Sequence, residues 1–126
     1  MATFGTCQNS SSKCLDRPFR SCRIVAVKGD ERLLVEAKGA GSSKATTKRY
    51  GEHFTGNQVG SHIGVAVVRA LRWASNGNAR PSLAFPDNPH HRARVDAIAP
   101  ALAHVGIGLF WVSEDRQVEV QAPWVL

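Results

Sequence analysis

Two apolar runs, Cys22 to Lys28 and Arg32 to Lys38, stand on either side of Gly29-Asp30, and this arrangement constrains the fold more than any other stretch. Glycine and aspartate between two such runs are a hairpin signal, so the runs read as paired antiparallel strands. With a two-residue turn, positions whose numbers sum to 59 face each other, which sets Arg23 opposite Glu36. Side chains alternate along a strand, so Leu34, Glu36 and Lys38 share one face while Leu33, Val35 and Ala37 share the other. A carboxylate and an ammonium are thereby held side by side. Such a pair can hold a divalent cation and orient an attacking water, the usual arrangement for metal-dependent phosphodiester cleavage.

The chain has 126 residues, enough for one domain with a modest core. With 43% hydrophobic and 21% charged residues it belongs among globular rather than disordered chains. The net charge of +6 is unevenly placed. Residues 1–50 hold ten Lys/Arg against four Asp/Glu, whereas residues 51–126 hold six of each. The basic half favours a polyanionic partner or a solubilising positive face. Cys7, Cys14 and Cys22 are odd in number and contain no Cys-x-x-Cys, which points to free thiols and a cytoplasmic location. No apolar run approaches the ~20 residues of a membrane span, because Ala101 to Val112 is interrupted by His104 and glycines.

Residues 1–21 are expected to be irregular or loosely packed, and residues 22–126 to form one domain. Residues 39–56 read as a long polar connection in which Lys44, Lys48 and Arg49 could meet phosphates. From Asn57 to Trp73 the positions Val59, Ile63, Ala66, Val67 and Ala70 recur at helical spacing, with Gln58, His62, Arg69 and Arg72 on another face. Ser82 to Phe85 reads as a strand, and Asp87-Asn88-Pro89 as a helix start. That helix is expected to bury Val95, Ile98, Leu102 and Val105, to be kinked at Pro100 and to end at Gly106. Strands at Ile107 to Val112 and Val118 to Gln121, with a turn at Glu114-Asp115, complete the chain. The order strand, strand, helix, strand, helix, strand, strand predicts an α/β fold of the α+β kind, a mixed sheet covered by helices.

This order, with Glu36-Ala37-Lys38 closing the second arm of the hairpin before a helix, resembles the restriction-endonuclease-like nucleases, the PD-(D/E)xK superfamily, over roughly residues 22–85. The resemblance implies a restriction-endonuclease-like core. It further implies that Glu36 binds Mg²⁺ or Mn²⁺ with the Ala37 carbonyl, and that Lys38 orients water or steadies developing charge. Gln58 and His62 then fall where relatives carry further polar site residues, and Lys44, Lys48, Arg49, His62 and Arg69 would contact nucleic acid, DNA ahead of RNA.

The chain departs from the family where Asp-Ile-Val-Ala is usual, reading Arg23-Ile24-Val25-Ala26. A guanidinium there would pair with Glu36 and repel a metal ion, unless Asp16 folds back as the second acid. A second copy of the chain is expected to complete an open sheet edge, giving a homodimer. Three functions follow: a metal-dependent nuclease, a nuclease-derived module that binds nucleic acid or protein without cleavage, or an unrelated α/β domain with an ordinary charge pair.

Overall fold

The structure, a computed structural model, describes residues 6–9, 21–39, 55–77 and 79–125. The hairpin forms as read, with β2 (Ser21–Lys28) and β3 (Glu31–Lys38) antiparallel and Arg23 opposite Glu36. Gly29 takes φ +57°, the left-handed conformation that a tight two-residue turn requires at its first central position.

After β3 the chain enters α1 (Gly56–Asn76), then β4 (Arg80–Pro86), α2 (Pro89–Asp96), α3 (Ala99–His104), β5 (Gly108–Val112) and β6 (Val118–Gln121). With β1 (Thr6–Asn9) these strands build one six-stranded sheet in sequential order. The pairs β3–β4 and β4–β5 are parallel, and the other neighbours are antiparallel. Each parallel pair needs a crossover, which α1 supplies for the first and α2 with α3 for the second. The chain is therefore a mixed α+β domain.

Helix α1 starts with Thr55, whose hydroxyl accepts the Gln58 N–H while the Gln58 side chain accepts the Thr55 N–H, a reciprocal capping box. It ends at Gly77, with φ +68°. Its buried stripe, Val59, Ile63, Ala66 and Ala70, packs with Leu83 and Phe85 of β4 and Leu109 and Trp111 of β5. Val95 and Leu102 join the same cluster, so all three helices cover one face of the sheet. On the opposite face Ala26, Leu33 and Val35 are buried, with Ile24, Ala84, Phe110 and Trp124 against them. The indole N–H of Trp124 donates to the Gly106 carbonyl, and its ring lies so close to Gly108 that a side chain there would meet it at 2.7 Å.

Three expectations need correction. Thr6–Asn9, placed in an irregular segment, is a strand paired with Ile24 to Val27. Thr-Cys-Gln-Asn has no apolar alternation, so its pairing comes from the open edge of β2 and not from its own pattern. The helix expected to run through Pro100 is two helices instead. Proline falls in the first turn of α3, where a missing N–H leaves no bond unmade. The break turns Val105 outward to 46% exposure, whereas Val95 and Leu102 remain buried.

Asn88 caps α2 by accepting the His91 N–H at 2.9 Å, and the same oxygen lies 2.9 Å from the His91 ring Nδ1. Asn88→Ala is expected to lower unfolding free energy by about 1 kcal/mol, measurable in denaturant titrations.

Candidate functional site

Glu36 projects toward the helices, on a face otherwise filled by Leu83 and its apolar neighbours. It is only 1% exposed, and an ionised carboxylate at such depth persists only with partners. Two cations supply them. Arg69 of α1 donates from Nη1 to Glu36 Oε1 at 2.6 Å, and Lys38 Nζ lies 3.6 Å from the same oxygen. Strand alternation puts Lys38 beside Glu36, and α1 lies across β3 so that Arg69 reaches down from above.

The Lys38 side chain is 7% exposed and that of Arg69 41%, so the group opens to solvent on the arginine side. Burial pulls the Lys38 pKa below its ordinary value, Glu36 opposes the shift and the Arg69 charge adds to it. His62 is half-buried one turn beyond Gln58. Its pKa is lowered by burial and then by the Lys38 charge.

The positive field continues along α1 and α2. The Arg94 guanidinium lies against the first turns of α1, where a Cβ at Gly56 would come within 2.8 Å of its Nη2. Neither α1 nor α2 carries an acidic residue in its first turn. His91, 1% exposed, keeps a proton on Nδ1 for the Asn88 oxygen, which leaves a buried Nε2 with no hydrogen-bond partner. Its pKa falls to about 4, through burial first and then the charges of His62, His90 and Arg94.

Set against the sequence reading, Glu36, Lys38, Arg69 and His62 come together. Gln58 is spent on the capping box of α1. Arg23 faces Glu36 across the hairpin yet is exposed, and the guanidinium bound to Glu36 is that of Arg69. Asp16, Lys44, Lys48 and Arg49 lie outside the described residues. The Arg69–Glu36 bond went unforeseen, although Arg69 shares the helical face of His62 two turns on and α1 had to pack on β3. His91 and Arg94 were missed too; a histidine three residues after a capping asparagine was the available signal.

Comparison of the chain with protein-family models, curated proteins and solved structures finds no match to any of them. The site must therefore be read from its own chemistry. Among the described residues no three His, Cys, Asp or Glu side chains gather around a common point. Among the described residues Glu36 is the one carboxylate of this group, and two cations already use it. By themselves these residues do not fit a divalent cation, since a hard cation seeks several oxygen ligands. One acid between two permanent or near-permanent cations fits an anion.

Proposed function

We propose that this domain binds nucleic acid through backbone phosphates at the carboxyl end of β3, on a restriction-endonuclease-like framework, with Glu36 as the internal counter-ion that positions Lys38 and Arg69. The carrying observation is the buried carboxylate shared by two cations, one of them open to solvent. Among the described residues Glu36 cancels one charge and leaves a positive excess. A phosphodiester presents one negative charge and acceptor oxygens only, so a guanidinium that opens to solvent suits it.

The framework is supported by the order of elements: a hairpin whose second arm carries Glu36-Ala37-Lys38, then a helix, then a strand parallel to that arm. The basic balance of residues 1–50 supports a polyanionic partner.

Retention on duplex DNA should fall steeply with salt, because bound phosphates release counter-ions. Arg69→Ala and Lys38→Met should each weaken binding evenly across sequences and reduce the salt slope by about 1. The same proteins incubated with labelled DNA and RNA in Mg²⁺ or Mn²⁺ provide the opposing outcome. Cleavage that disappears in Glu36→Ala would make the carboxylate a metal ligand and replace this reading with metal-dependent hydrolysis. Absence of salt-sensitive retention would remove nucleic acid as the partner.

A further inference from the structure

The outer edge of the sheet at β6 is open, and its backbone pattern can be assigned bond by bond. The Ser113 N–H donates to the Gln117 carbonyl, and β5 and β6 pair Leu109 with Gln121 and Trp111 with Glu119. Antiparallel ladders alternate, so Glu119 and Gln121 point their backbone groups at β5 while Val118 and Val120 point theirs outward. Among the described residues nothing hydrogen-bonds to those outward groups. Val118 and Val120 are 55% and 44% exposed, and Val112 beside them is 38% exposed. On the helix-covered side an apolar recess of about 300 Å³, lined by Ala99, Ala103, Ile107, Leu109, Ala122 and Pro123, opens next to the same edge.

Exposed edges are ordinarily blunted by lysine, proline or a bulge, and Val118-Glu119-Val120-Gln121 contains none of these. Glu114 and Asp115 lie with Arg116 in the turn before β6, and Glu119 on the strand itself is paired with Arg92. Three strand steps lie between this edge and β3, so it is separate from the site there.

We infer that β6 pairs antiparallel with β6 of a second copy about a two-fold axis at Val120. In that register Val120 meets its own counterpart and the two exchange both backbone bonds, while Val118 meets Ala122 of the second copy. Glu119 meets Gln121, so an acid faces an amide. Sliding by one residue would set Glu119 against Glu119, a like-charge contact that opposes the pairing. Sliding the other way would set Val120 against Ala122 and Gln121 against its own counterpart, giving up the Val120–Val120 contact. The register centred on Val120 is the one that pairs this valine with itself and sets no like charges together, and a closed two-fold arrangement uses up the β6 edge of each copy.

Sedimentation velocity of the full chain over a range of concentrations tests this without nucleic acid, so its outcome is independent of the phosphate-binding reading. Val120→Pro removes one outward N–H and no β5–β6 bond, a position where an edge strand accepts proline. Val120→Lys places two ammonium groups on the axis and serves if the proline variant does not fold. Wild type should sediment as a dimer at rising concentration. Both variants should remain monomeric, with circular dichroism and thermal midpoint unchanged. A wild type that stays monomeric throughout, variants that dimerise as wild type does, or assembly continuing beyond two copies would overturn the inference.

Discussion

Replacing Glu36 with alanine is expected to destabilise the fold by about 3 kcal/mol in denaturant titrations at neutral pH, the low end for breaking a buried ion pair. The cost arises from what remains. Lys38, 7% exposed, would keep an ammonium whose carboxylate is gone, and the void left by Glu36 has no apolar filling. Arg69, 41% exposed, turns to water and contributes little to the loss. The paired substitution Glu36→Leu with Lys38→Met separates charge from packing. It removes both ions and fills their volume, and should return stability to within about 1 kcal/mol of wild type. A Glu36→Ala variant as stable as wild type would show that the carboxylate does not organise the site. The restored pair should fold and yet hold DNA more weakly, with a salt slope lower by about 1, which a purely structural role for these side chains would not produce.

Acidification from pH 6.5 toward 4 is expected to remove about 3 kcal/mol of stability through His91 alone. Its native pKa, about 4, lies below the ordinary 6.5, so within this window the unfolded chain takes up a proton that the folded chain refuses. The stabilisation is fully present above 6.5, declines as pH falls, and has gone once pH passes the native value. Burial, with Phe85 alongside, does most to hold the proton off, and the charges of His62 of α1 and of His90 and Arg94 of α2 add to it. His91→Leu, which replaces the partnerless Nε2 with carbon, should flatten the decline when unfolding free energy is measured at several pH values. Asp87 and Asp115 are shifted below 3.8 by Arg92 and Ser113, so their losses are centred at lower pH than that of His91. A His91→Leu variant with the wild-type slope would assign the acid sensitivity elsewhere.

Local chemistry in the sequence was enough for the hairpin register, the span of α1 and the asparagine cap of α2. In each case the signal and the structure lie within a few residues of each other: Gly29-Asp30 sets the pairing of Arg23 with Glu36, and Asn88-Pro89 starts a helix. What could not be read depends on partners distant in the chain. Arg69 and Glu36 are 33 residues apart, and only the packing of α1 across β3 joins them. Thr6–Asn9 becomes a strand because β2 offers it an edge. Arg92 stacks on the Trp111 ring at 4.1 Å while binding Asp87 and Glu119, and nothing in their spacing announces that three-way contact. Asp16, Lys44, Lys48 and Arg49 fall outside the described residues.

Strands that follow one another across the sheet in chain order have a geometric result. In the dimer inferred above, the path from β3 to the outer edge and back into the second copy would take seven inter-strand steps, a span of about 34 Å. Each step turns the sheet in the same sense, so the accumulated rotation between the two Glu36 groups is on the order of 150°. The two would look away from one another like opposite blades of a propeller. One straight duplex could then touch only one of them, and a paired molecule would act as a clasp between two separate strands of polymer.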